Sequence, residues 1–250
     1  MLYGSSVFVP FIRSHSTKTQ LLLSHQRQAL TSLYHAYRST SSTAICTATL
    51  HTPLHLQALQ AAAKYWVRHK NYHQAAQLLH ILPLNHHQKI TRKDVAERIL
   101  EIWNGEYLAS ETGTHIKSIF PTIYSRTKTS WLIPSFYTLP FITRHGPFPV
   151  YLHSRRIAPT PYCTCTAIGS PEHFLIHCPL IPHPPSIRNL TLINLLTDRQ
   201  HWKTFSEISR LTIQHPVLQH KFPNPIYNPR LHYHQAPRNR PQLRNRNVQS

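Results

Sequence analysis

The sequence predicts a mainly α fold: a helical body, a small irregular module built on cysteine and histidine, and a disordered C-terminal tail. Three observations carry that reading. Apolar residues recur at three- and four-residue intervals through most of the first two hundred positions. Three of the four cysteines crowd into a stretch of sixteen residues with a histidine between them. From Gln214 onward the chain is Pro, Asn, Gln, His and Arg with few aliphatics, too little apolar surface to offset its chain entropy.

From Gln20 to about Arg38, Leu22, Leu23, Ala29, Leu30, Leu33, Tyr34 and Tyr37 mark an amphipathic helix. A Ser/Thr-rich stretch ends at Pro53. Leu56, Leu59, Ala62, Ala63, Trp66 and Val67 then give a second helix, extending towards Leu82 before Pro83 stops it. The clearest start signal is Thr91. Its hydroxyl can cap a helix while Asp94, three residues on, sits at the positive end of the dipole. Val95, Ile99, Ile102, Trp103 and Glu106-Tyr107 form its expected buried stripe, with Gly105 and Gly113 weakening the far end.

Between Ile116 and Tyr151 the residues are apolar and aromatic, but Pro121, Pro134, Pro140, Pro147 and Pro149 interrupt them. Short helices separated by turns follow. Ile187 to Leu196, and a segment capped by Asp198 carrying Trp202, Phe205, Ile208 and Ile213, read as two more helices. The domain organisation expected is 1–83 and 84–160 helical, 161–180 the cysteine module, 181–213 helical and 214–250 a basic tail.

Charge narrows the partners. Lys and Arg total 27 against 8 Asp and Glu, a formal charge of +19, and all eight carboxylates lie between Asp94 and Glu207. Such a balance attracts phosphate backbones along the chain, RNA or DNA, with salt-sensitive affinity. The plainer alternative is a merely soluble basic protein. Histidine is abundant at 21 residues and glycine scarce at 5; nothing in the spacing explains the histidines. Four cysteines in a chain this long do not make a disulfide scaffold, and no apolar run approaches the ~20 residues of a membrane span. A reducing, intracellular setting without a membrane partner is the expectation. The acid-free, Ser- and Arg-bearing start also suits a mitochondrial leader.

Cys163, Cys165, His173 and Cys178 form a C-x-C-x7-H-x4-C array. Three thiolates and an imidazole can close a tetrahedron around zinc, with bonds of roughly 2.3 Å to sulfur and 2.0–2.1 Å to nitrogen. Adjacent residues seldom aim at one ion, so His173, rather than His177 beside Cys178, is the expected ligand. A helical turn from Glu172 to His177 would bring it to Cys178, with Phe174 and Ile176 packing. A closed site of this kind leaves no open position for catalysis; ordinary buried cysteines are the alternative. Arg155 and Arg156, with Tyr151 and Tyr162, could supply phosphate contacts and base stacking beside the module. Cys46 stands alone and reads as a small core or surface residue.

Two aspartates more than a hundred residues apart cannot form a two-metal polymerase or nuclease centre. Nor is there a Gly-x-Ser-x-Gly elbow or a phosphate-cradling Gly-rich loop. The chain itself is therefore expected to be non-catalytic.

Several segments in a particular order resemble a known family. Leu2-Tyr3-Gly4, Gln26-Arg27-Gln28-Ala29-Leu30 and Ala36-Tyr37-Arg38-Ser39-Thr40-Ser41-Ser42-Thr43-Ala44 are similar to the stretch after the polymerase palm in non-LTR (LINE-type) retrotransposon reverse transcriptases. Phe120-Pro121, Phe141-Ile142-Thr143-Arg144-His145-Gly146, Tyr151-Leu152 and the module from Cys163 to Pro179 resemble that family's C-terminal region. The resemblance covers roughly residues 2 to 180. It implies that 1–83 is the end of a reverse transcriptase domain, that the parent polyprotein is an RNA-directed DNA polymerase, and that its palm aspartates precede Met1. It implies a zinc knuckle gripping template RNA or target DNA, with Arg144, His145, Arg155, Arg156 and Tyr162 as contacts. Upstream polymerase and endonuclease domains are the implied protein partners, and the nucleus the implied location. Two departures stand out. Arg144 and Thr166 occupy positions where family members commonly carry glycine, which permits backbone angles that a side chain penalises. A degenerate or recruited remnant that folds around zinc is the second reading, and a mitochondrial basic nucleic-acid-associated protein the third.

Overall fold

The computed structural model describes residues 15–81, 89–187 and 189–218, together with Gly4, Ser5, Phe8 and Val9. Among them the fold is mainly helical, without strands; Tyr162 and Ile168 form an isolated antiparallel bridge. The expected tail lies, from residue 219 onward, outside the described residues, as do Leu82, Pro83 and most of the N-terminal fourteen.

The helices are α1 (Ser16–Leu33), α2 (Ser42–Thr49), α3 (Leu54–Arg68), α4 (Tyr72–Leu79), α5 (Arg92–Ala109), α6 (Thr114–Ile119), α7 (Ile123–Lys128), α8 (Leu139–Thr143) and α9 (Pro149–Ser154). A wide π-type turn (His173–His177) and a 3-10 turn (Pro185–Ile187) follow, then α10 (Leu192–Thr197) and α11 (Arg199–Gln214). Helix α3 packs on α4 and α5, α1 on α2 and α3, and α11 on α10 and the π-type turn. One apolar cluster runs from Leu30 through Phe141 and Phe174 to Leu218.

Helix α5 starts as its sequence dictates. The Thr91 hydroxyl accepts from the Asp94 amide at 3.2 Å, and the Asp94 carboxylate accepts from the Thr91 amide at 2.8 Å. Val95, Ile99, Trp103 and Tyr107 are buried along one face. The helix continues through Gly105, where an added Cβ would meet nothing. Proline sits in the first turn of α8 and of α9, where a missing amide costs least.

Five expectations need correction. Helix α1 runs from residue 16 to 33 rather than 20 to 38 and buries only Gln26 and Leu30. The second helix is two, broken where Lys70 takes φ 58° and the Asn71 side chain caps α4. The Ser/Thr-rich stretch contains α2, capped by Ser41 and buried from Ala44 to Thr49, so no polar face shows in its pattern. The segment from Ile187 becomes helical only at Leu192, after a capping box at Thr191. Order also passes Gln214, since Leu218 is buried.

The ends of the first four helices share a device. His35, Leu50, Lys70 and His80 adopt φ of 50°, 54°, 58° and 48°. The amide after each reaches back five residues to a carbonyl, as in Ala36 to Thr31 (2.9 Å) and Ile81 to Ala76 (3.0 Å). Glycine ordinarily fills such closures. With 5 glycines in 250 residues, this chain closes them with side-chain-bearing residues, two of them histidine.

Candidate metal centre

The cysteine module begins as a tight hairpin. The Cys163 amide donates to the Ala167 carbonyl at 2.8 Å, and the Gly169 amide to the Pro161 carbonyl at 2.9 Å. Thr166 turns the chain with φ 73°, its amide bonded to the Cys163 carbonyl at 2.9 Å. Gly169 presses the hairpin onto α9: a Cβ there would lie 2.6 Å from Pro149 Cγ. The Val150 amide donates to the Gly169 carbonyl at 3.3 Å.

The second half is the π-type turn. The Ser170 hydroxyl accepts from the His173 amide at 3.2 Å, and the Cys178 amide donates to the His173 carbonyl at 2.7 Å. The wider turn carries Cys178 beneath His173. Phe174, Leu175 and Ile176 are buried and fasten the turn. Ring contacts run from Phe174 to Phe148 (6.3 Å), Phe148 to Phe141 (5.1 Å) and Phe141 to Phe205 on α11 (6.2 Å).

Cys163, Cys165, His173 and Cys178 converge, their ligand atoms all within 4.8 Å of one another, and could hold a metal ion. The Cys163 and Cys178 sulfurs are 3.9 Å apart, and Cys165 Sγ lies 3.2 Å from His173 Nε2. A tetrahedron with metal–sulfur bonds of roughly 2.3 Å has an edge of roughly 3.8 Å, so the sulfur spacing and the donor set fit zinc. His177 is exposed, while His173 is buried. Burial pushes the Cys178 thiol up to about 11, whereas the Ala167 backbone bond holds Cys165 below its ordinary value. Burial, then the neighbouring His177, lowers the His173 pKa, which favours the neutral form that a metal ligand requires. Cys46 is a buried core residue, its thiol raised by burial.

The residues expected to touch nucleic acid fall into three groups. Arg144, at φ 58°, bonds through its guanidinium to the Glu172 carboxylate, including an Nε contact of 3.1 Å. His145 faces the other way. Its Nδ1 lies 3.1 Å from Ser39 Oγ and 3.3 Å from Thr40 Oγ1, and its ring stacks on Tyr151 at 5.1 Å. Tyr151 also meets the Tyr37 ring at 5.4 Å, the Ser39 hydroxyl, and Arg155, whose Cζ stands 5.7 Å from the ring centre. The segments at 36–40, 141–146 and 151–152 thus come together. Arg156 (φ 58°) and Tyr162 are exposed and stand apart from that stack.

Sequence reasoning missed Arg126, 1% exposed in the core. It donates to the carbonyls of Thr47 (3.1 Å), Ala48 (2.8 Å), Thr129 (2.7 Å) and Leu132 (2.8 Å). Burial lowers its pKa to about 10, so it stays protonated at neutral pH. No local signal marks it, because its burial depends on the end of α2, where its partners Thr47 and Ala48 lie 79 and 78 residues away.

Fold and site together define a mainly helical protein with a Cys3His cluster able to hold a metal ion. Over 186 residues the chain is 29% identical to the retrovirus-related Pol polyprotein from type-1 retrotransposable element R1 4 of Nasonia vitripennis, covering 69% of this chain and 46% of that protein. Over 85 residues it is 31% identical to the corresponding R1 polyprotein of Bradysia coprophila, covering 34% of this chain and 8% of that one. These similarities support a region derived from a non-LTR retrotransposon. The chain spans less than half the length of these curated relatives. No family model and no solved structure matches it. No helix among the described residues is long and apolar enough to cross a membrane.

Proposed function

We infer that this chain is the zinc-dependent, nucleic-acid-binding part of a retrotransposon reverse transcriptase polyprotein, and itself non-catalytic. The observation that carries the reading is the Cys3His convergence in a chain of net charge +19. When bound, zinc supplies a covalent cross-link between the hairpin and the π-type turn. Cys163 and Cys165 would hold it from one side and His173 and Cys178 from the other. Exposed Arg155 and Arg156 then lie beside a rigid module, where their charge can meet phosphate without first ordering a loop. RNA template and target DNA are both candidate ligands, the polymerase and endonuclease domains of the same element are candidate partners, and the nucleus is the corresponding location.

The test is zinc stoichiometry on the purified chain, with Cys178→Ser as control, alongside a gel shift on RNA and single-stranded DNA before and after chelation. One zinc per chain and chelator-sensitive binding are expected. Metal-free protein under reducing conditions, or binding indifferent to chelation, overturns the reading.

A second reading is favoured by the left-handed Arg144 and Thr166: a remnant that folds around zinc and binds nothing specifically. Zinc at full stoichiometry with no nucleic-acid retention would select it.

A further inference from the structure

Exposure and pairing separate the two tyrosines near the module. Tyr151 is half-buried, with His145, Tyr37 and Arg155 against its ring. It has little face left for a ligand. Tyr162 is 55% exposed, and Ile168, opposite it across the hairpin, is 60% exposed.

The hydrogen bonds from Cys163 to Ala167 and from Gly169 to Pro161 flank this pair on both sides. Tyr162 and Ile168 therefore occupy a non-hydrogen-bonded antiparallel position, in which opposed side chains lie closest and project from the same face. Hairpins ordinarily turn such a pair into a core. Here Cys163, at the start of the turn, and Cys165, within it, belong to the Cys3His cluster, and the apolar pair is left to solvent.

Charge says what would cover it. The hairpin is seated on α9 through Gly169 and Val150, and the exposed Arg155 and Arg156 follow that helix's last residue. A helix of six residues is about 9 Å long, so the backbone that carries these two cations lies about that far from the point where Val150 meets the hairpin. A flat apolar group joined to a phosphate matches both features at once.

We propose that Tyr162 and Ile168 form a stacking platform for an unpaired nucleobase, which makes the module a reader of single strands rather than of duplex. This rests on the nucleic-acid-binding reading above and narrows it. In a duplex the base faces are already stacked on one another, so only a free base can lie on the tyrosine. Stacking against Ile168 on one edge adds apolar contact without sequence readout.

The zinc-loaded full chain is titrated, by fluorescence anisotropy, into a labelled single strand, the same strand with abasic sites, and the corresponding duplex, in RNA and DNA forms. Tyr162→Ala is expected to weaken binding to the intact single strand by roughly tenfold, as loss of one base–aromatic stack would. Tyr162→Phe should retain affinity, Ile168→Ala should lose less, and all should bind the abasic strand like the parent. Arg155→Ala with Arg156→Ala should weaken intact and abasic strands alike and reduce the salt slope. Zinc content checks that each variant is folded. Unchanged single-strand affinity in Tyr162→Ala, or equal affinity of the parent for strand and duplex, overturns the platform while charge-driven binding stands. No binding to any probe removes both readings.

Discussion

The Arg144 guanidinium is ion-paired with the carboxylate of Glu172, the residue immediately before His173 of the Cys3His cluster. Burial, the largest single influence, would raise the Glu172 pKa, but the Arg144 hydrogen bonds, its own backbone amide and the charges of Arg144 and His115 together hold the carboxyl below its ordinary value. The pair ties the end of α8 to the start of the π-type turn, so it orients the histidine from outside the cluster. Removing either partner should destabilise the zinc-loaded chain by about 1 kcal/mol, given partly exposed side chains. A double-mutant cycle of Glu172→Gln and Arg144→Gln, read by denaturant unfolding, should return a coupling of the same size. Additive effects would show the contact to be incidental.

Thr166 holds φ 73° at the hairpin turn, where a β-branched residue is strained. Thr166→Gly should stabilise the loaded module by about 1 kcal/mol, because the left-handed conformation carries that order of penalty for an L-residue. Slower release of zinc to a competing chelator is the expected readout. Faster release would mean that the threonine side chain holds the turn.

Gly169 has no room for a side chain against Pro149. Gly169→Ala must push the hairpin off α9, at a cost of roughly 1–3 kcal/mol. Lowered thermal stability with weaker zinc retention is expected. An unchanged melting temperature would mean that the hairpin and α9 are not in firm contact.

Arg126 satisfies four carbonyls from the ends of α2 and α7 and the following turn, and lies against the Phe120 ring with its Cζ 5.4 Å from the centre. Arg126→Met keeps the volume but strands those acceptors, each costing about 1–3 kcal/mol when buried unpaired. Loss of cooperative unfolding, or insoluble expression, is the expected outcome. Arg126→Lys should rescue only in part, since one ammonium cannot reach the same fan of oxygens. Near-parent stability of Arg126→Met would refute this assignment.

His115 lines a cavity with Arg144, Glu172 and Thr191, and its pKa is lowered to about 4 by burial first and by Arg144 second. Its folded pKa lies below its unfolded value near 6.5, so the unfolded chain binds the extra proton first. Stability from this group is fully present above about pH 6.5 and declines as pH falls towards 4, by roughly 1–3 kcal/mol in all. Comparing His115→Phe with the parent across that range isolates the effect from protonation of the cluster. The parent should lose more stability than the variant; parallel curves would exclude His115 as the cause.

Much of the helical layout was legible because its signals are local. The Thr91 and Asp94 capping box, the prolines that divide residues 116 to 151, and the Asp198 cap each act within one turn of chain. The cysteine spacing was legible for the same reason: sixteen residues hold the whole donor set. Helix α2 was not, because it is buried nearly all round and so lacks the polar face that periodicity detects. The break at Lys70 was hidden too, since neither glycine nor proline marks it.

By itself, then, the sequence determined which four residues make up the Cys3His cluster, where the helices with local capping signals at Thr91 and Asp198 begin, and that the chain is strongly basic. Tertiary structure alone decided that Arg126 belongs in the core, that Arg144 faces Glu172, and that Tyr151 is enclosed while Tyr162 is open. The reason is range. Capping and ligand spacing depend on neighbours a few residues apart, whereas burial and ion pairing depend on which distant segments the packed core brings together.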